Sequence, residues 1–164
     1  MIKLRSEPKE LSEKEVISML ESHNMYDSTS NKNGKGISHN YKKTNEIIFD
    51  EATGLIWQQS GSDEDLMIKE AEDYINDLNK ATYGGYNDWR LPTLEEAMSL
   101  MEPVKKNERH FNPMFDDTQE WIWTCDTTKG FYWIIYFYGG TCRYYIDYNH
   151  HCYVRAVRNV QPSV

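Results

Sequence analysis

The residues best able to do chemistry crowd into "TCRYYIDYNHHCY", Thr141 to Tyr153. Two adjacent histidines, two cysteines, an arginine and an aspartate could bind a metal, attack a substrate or hydrogen-bond a ligand. Spacing argues against a shared metal. On a strand, His150 and His151 point to opposite faces and do not reach one ion together. No nucleophile–base pair and no phosphate-binding loop stands out, so no catalytic residue, cofactor or metal is assigned. A second polar stretch, "DSTSNKNGKGISHNYKK", invites a calcium-loop reading. Setting Gly34 at the loop's required glycine puts Thr29 and Asn40 where Asp and Glu belong, and the match fails. That stretch is read as a solvated linker.

The remaining chemistry is recognition. Tyrosine gives large, stiff contact area with one polar end, and Asn, His, Arg and Asp add adaptable hydrogen bonds. "FYWIIYFYGG" alternates in and out. With Trp133, Ile135 and Phe137 toward the core, Tyr132, Ile134, Tyr136 and Tyr138 face out. Together with Arg143, Tyr144, Asp147, Tyr148, Asn149, His150 and His151 they form the expected ligand-binding surface. Tyr145 and Tyr153 serve at least as well as rings that cap the core.

The chain as a whole sets bounds on that surface. Its 164 residues suit one domain with a usable core, and 13% aromatic content suggests many half-exposed rings. A net charge of −8 lacks the basic footprint of a nucleic-acid binder. No apolar run is long enough to cross a bilayer, and "MIKLRSEPKE" has no signal-like apolar segment. Three cysteines without CxxC spacing are read as reduced thiols in a cytoplasmic protein; whether Cys142 and Cys152 pair is not legible from spacing.

The elements that must position the surface are punctuated by capping signals. Leu11 to about His23 is predicted helical, with Ser12 and Glu15 as a capping box and Val16, Met19, Leu20 and His23 on one face. "NEIIFDEATGLIWQQS" reads as two strands around an Asp50–Gly54 turn. Ser62 is expected to open a second helix striped by Met67, Ala71, Tyr74, Ile75 and Leu78, with its acidic residues on a solvated face. Thr93 and Glu96 make another capping box for a short helix ending before Pro103. A long irregular stretch then leads to strands in "EWIWTCD", "FYWIIYFYGG" and "YVRAVR". On the last, Arg155 and Arg158 are expected on a solvated or salt-bridged face. The class is α+β. Residues 1–44 are read as an N-terminal helical arm and linker, and 45–160 as the domain.

"FDEATGLIWQQSGS", "GYNDWRLPTLEEAMSL", "FYWIIYFYGG" and "YVRAVR" resemble, in order and spacing, the bacterial domain named after the C-terminal part of the Legionella collagen-like protein. The likeness runs from about Asn45 to Arg158. It implies a C-type-lectin-like fold related to the formylglycine-generating enzymes. It makes Trp57, Trp89, Arg90, Leu91 and Pro92 framework residues, with Arg90 hydrogen-bonded to carbonyls or a carboxylate. Domains of this kind are commonly ligand-binding. Some bind sulfated polysaccharides, and some are variable proteins of diversity-generating retroelements, which mutate adenines in AAC or AAT codons.

Changing the first two bases of AAC yields Tyr, His, Asp, Arg, Cys and others, never Lys, Glu, Gln, Met or Trp. Those five types make up about a quarter of the chain. From Phe131 to Tyr153 only Trp133 belongs to them, although strand propensity also disfavours Lys and Glu. The expected function is therefore a ligand-binding variable protein, not an enzyme, with a protein, peptide or carbohydrate partner. The alternatives are an accessory or sensor domain of a signalling protein, motivated by the leader-like "LRSEPKELSEKEV", and a formylglycine-generating-type copper oxidase using Cys142 and Cys152.

Overall fold

The computed structural model describes residues 1–160. Helix α1 (Glu13–Ser22) starts at the predicted box, with Ser12 Oγ accepting from Glu15 N and Glu15 reaching back to Ser12 N. Strands β1 (Tyr41–Thr44), β2 (Ile47–Asp50) and β3 (Leu55–Gln58) follow, then α2 (Ile68–Lys80) and α3 (Leu94–Ser99). The last part of the chain forms β4 (Trp121–Thr128), β5 (Phe131–Tyr136), β6 (Thr141–Tyr144) and the short β7 (Val157–Asn159). One sheet has the order β1-β2-β3-β7 and the other β4-β5-β6, all pairs antiparallel. Three helices beside two antiparallel sheets make the protein α+β. No helix among the described residues is long and apolar enough to cross a membrane.

Two of the capping boxes appear as predicted, because a box is a local bargain between residues three apart. Thr93 and Glu96 cap α3 in the same way as Ser12 and Glu15 cap α1. The second helix does not begin at Ser62. It begins five residues later with Met67 as its cap residue, and Ser62 instead accepts from Val154 N through its hydroxyl. A long-range strand contact has claimed the side chain that local reasoning gave to a cap.

The main core lies between the sheets and α3. Trp57, Leu94, Met98, Trp133, Ile135 and Phe137 are buried there, and so are Leu4, Leu11, Val16, Leu20 and Met25 from the first 44 residues. The stretch after Tyr26 is correspondingly no solvated linker. Asp27 is fully buried and accepts from Thr29 N, Ser30 N, Thr141 Oγ1 and Cys142 N, so the loop clamps the start of β6. Its Asp27 and Asn31 satisfy backbone and side-chain groups inside the fold, while Thr29, Lys32, Asn33 and Lys35 face water.

The terminal arginines part company. Arg158 is salt-bridged to Asp88 at 2.6 Å, as the salt-bridged alternative had it. Arg155 overturns the expectation, being fully buried. It donates to the carbonyls of Gln58, Gln59 and Asp116, and its guanidinium lies 5.0 Å from the Phe115 ring centre. Burial lowers its pKa to about 10.

Asp50 ends β2 inside the fold. Its carboxylate accepts from Thr53 Oγ1 at 2.6 Å, Asn40 N at 3.0 Å and Ala52 N at 3.1 Å, and meets His39 Nδ1 at 2.7 Å. The other His39 nitrogen faces Ser99 O at 2.6 Å, so both ring nitrogens face acceptors. Burial works against the Asp50 charge, but the bonds from His39 and Thr53 and the His39 charge hold its pKa below the usual 3.8. A carboxylate depressed in the folded state stabilises above its unfolded pKa, and that stability is lost as pH falls through the folded value. D50N should cost about 2 kcal/mol at pH 7. In denaturant titrations the gap to wild type should close below about pH 4; a gap independent of pH would show that the charge plays no part.

Candidate functional site

The outer face of β4-β5-β6 carries a run of touching rings. Trp121 and Tyr136 are cross-strand partners and stack with centroids 3.7 Å apart. Tyr136 meets Tyr138 at 6.0 Å on one side, and Trp121 meets Tyr145 at 6.3 Å on the other. Tyr145 stacks on His150 at 4.3 Å, His150 stands edge-on to Trp123 at 6.1 Å, and Trp123 meets Tyr132 at 6.2 Å. Arg143 lies 5.6 Å over the Tyr136 ring, and Tyr148 stacks on Phe131 at 4.7 Å. Such pairs add roughly 0.5–1.5 kcal/mol each beyond burial, so the rings hold one another in place before any ligand arrives.

Two expected surface residues are placed elsewhere. Ile134 is buried, packed with Trp123, Ala71, Cys152 and Val154. The reason is that Ala71 of α2 packs on this side, together with Cys152 and Val154 of a segment that pairs along the edge of β4, where Tyr153 N donates to Trp121 O and Trp123 N to Tyr153 O. Tyr144 pairs with Trp133 and so lies on the inner face, at the edge, where its hydroxyl bonds Glu13 Oε1 at 3.0 Å. Alternation was right for Tyr132 and Tyr136, which are half-buried, and for Tyr138, which is exposed.

The loop after β6 is shaped by its own side chains. Asp147 Oδ1 accepts from Asn149 N at 2.9 Å, so this carboxylate holds the turn. The turn leaves Ile146 and Tyr148 79% and 75% exposed. Asn149 and His151 are exposed as well, and His151 reaches Asp65 at 3.5 Å. Burial lowers the His150 pKa, with the neighbouring His151 charge in the same direction and Asp147 against it. Burial raises the Tyr132 pKa. Under the loop is a narrow cleft of about 50 Å³, lined by Ile68, Trp123, Phe131, Tyr132, Ile134, Tyr145, Tyr148 and His150. Drug-sized ligands fill about 300 Å³ or more, so this face offers contact area and not an enclosed pocket.

The sulfur chemistry is muted. All three cysteines are free thiols. Cys142 packs against the main core and Cys152 lies in the second cluster, with Trp123 and Ile134. Burial raises all three thiol pKa values, that of Cys125 to about 12. A thiol is a nucleophile or metal ligand as its thiolate, which burial here disfavours. Among the described residues no three His, Cys, Asp or Glu side chains gather as a metal site would need.

Trp57 and Trp89 are buried, and Arg90 donates to both Glu96 oxygens at 2.8 and 2.7 Å. These framework residues lie within the stretch 46–158, which matches the Lcl C-terminal domain. The chain belongs to this family. Neither a curated protein nor a solved structure was found to match. In this Lcl C-terminal domain the motif residues build the scaffold: Arg90 ties the loop before α3 to Asn159 after the β7 valine and arginine, and Arg155 and Arg158 secure the closing strand.

Sequence reasoning missed Trp121, Trp123, Phe131, Lys105 and Arg109 as members of the outer face. The two-residue spacing of Trp121 and Trp123 placed them on one side of a strand. Which side required the β4–β5 register. Lys105 and Arg109 sit in irregular chain, where no periodicity could signal their approach to Tyr138.

Proposed function

We propose that this Lcl C-terminal domain is a ligand-binding module with a C-type-lectin-like fold, not an enzyme, and that it is a variable protein of a diversity-generating retroelement. The observation that carries the binding reading is the aromatic run of Tyr138, Tyr136, Trp121, Tyr145, His150 and Tyr132, backed by the buried Trp123. Rigid rings stacked on a sheet lose little freedom on binding, which is what a recognition surface needs. The small cleft and broad ring face favour a protein or peptide over a small molecule. The copper-oxidase alternative draws no support from Cys142 and Cys152, which lie in separate clusters. Free thiols suit a reducing, cytoplasmic setting.

The variable-protein reading draws on exposure. Tyr138, Arg143, Ile146, Asp147, Tyr148, Asn149 and His151 are exposed and belong to the codon-accessible set, whereas Trp133, outside that set, is buried. Sequencing the DNA for Phe131–Tyr153 and its flanks tests it. The expected result is a near-copy repeat differing at adenines, beside a reverse transcriptase gene. Mismatched codons should fall on Tyr132, Tyr136, Tyr138, Arg143 and residues 146–151, sparing Ile135 and Phe137. With no repeat and no reverse transcriptase, the surface is a fixed one for a single ligand.

A further inference from the structure

The aromatic run ends in a cationic corner. Tyr138 is 42% exposed, with Lys105 Nζ 4.5 Å and Arg109 Cζ 5.5 Å from its ring centre. Arg143 stands over the adjoining Tyr136. Arg109 is held by Glu120 at 2.9 Å, and its Nε is buried without a hydrogen-bond partner. Lys105 and Arg143 make no ion pair among the described residues, although neighbouring Lys106 pairs with Glu102. On a chain of net charge −8, acids are plentiful. Two cations held over rings and not by carboxylates leave a local positive field beside an apolar strip.

We infer that this corner receives one or two carboxylates of an acidic peptide segment, whose apolar neighbours lie along the rings toward Tyr132 and Tyr148. The inference rests on the binding reading above and names the partner's chemistry. A carboxylate matches the fork of Arg143 and accepts further bonds from Lys105 and the Tyr136 and Tyr138 hydroxyls. Two unpaired cations suit a short acidic motif. A long polyanion would run on over the acidic remainder of the surface and be repelled there.

Random-peptide display against the full chain tests this, with one selected peptide synthesised as the probe. Selected peptides should carry Asp or Glu beside Trp, Tyr, Phe or Leu. Binding of the probe should weaken about tenfold in K105Q/R143Q and several-fold between about 50 and 300 mM NaCl. Y132A/Y148A should weaken it too. Peptides that need Tyr132 and Tyr148 but carry no acidic residue, and bind K105Q/R143Q unchanged, would overturn the acidic corner and leave the binding reading standing. Heparin binding that K105Q/R143Q abolishes, with no acidic peptide selected, would assign the corner to a polysaccharide and overturn the inference. Peptides indifferent to both variants, or none selected, would overturn both readings.

Discussion

Removing residues 1–44 should leave a chain that does not fold. The family match begins at residue 46, and the sequence invites a cut there. The core argues otherwise. Leu4, Leu11, Val16, Leu20 and Met25 are buried against Trp57, Trp133 and Phe137. At about 1.5–3 kcal/mol per buried side chain they contribute on the order of 10 kcal/mol, comparable with the whole stability of a typical domain. Polar groups would be stranded as well. The buried Asp126 carboxylate receives Arg5 Nη1 and Nη2 and Lys9 N, and the Trp133 indole donates to Leu11 O at 3.1 Å. The buried Asp27 would no longer accept from Thr141 and Cys142, so β6 and the candidate surface would lose their anchor. Far-UV circular dichroism and thermal melting of the 45–164 fragment check this. The expected result is no cooperative transition; a sharp one would make the arm an accessory.

The second large effect is at Arg155. R155M should lower stability by about 3–5 kcal/mol, the loss found when one partner of a buried charged network is removed. The side chain joins the end of β3 at Gln58 and Gln59 to the loop at Asp116 and Gln119, and methionine offers none of these donors. R155K should recover little, since one ammonium cannot span carbonyls arranged around a planar fork. Denaturant unfolding would show a lower midpoint with unchanged slope. An R155M protein as stable as wild type would mean that packing against Phe111 and Phe115 outweighs the hydrogen bonds.

What could be read along the chain was whatever three or four neighbours decide among themselves. The Ser12 and Thr93 boxes and the β2–β3 hairpin needed no distant partner, and each formed where its residues stand. Alternation set Trp133, Ile135 and Phe137 on one side of the chain, and all three are buried. The order of four family motifs carried the membership. The loop around Asp27 failed for the opposite reason. Its Asn, Ser and Gly residues look equally suited to water and to a buried network, and only Thr141 and Cys142, more than a hundred residues away, distinguish the two.

The candidate surface divides along the same line. Sequence by itself determined its composition: Tyr132, Ile134, Tyr136 and Tyr138 at two-residue spacing along β5 and just past it, followed by a loop rich in Tyr, Asn, Asp and His. Tertiary structure decided which of them share a face. The β4–β5 register sets Trp121 opposite Tyr136 and Trp123 opposite Ile134, so both tryptophans share the outer face, and a bulge follows between Trp123 and Thr127. Helix α2 and the returning Cys152–Val154 segment then bury Ile134, and pairing with Trp133 turns Tyr144 to the other side. Strand periodicity fixes only relative orientation along one strand; the absolute face depends on register and on what packs against it, and both are set by contacts far apart in the chain.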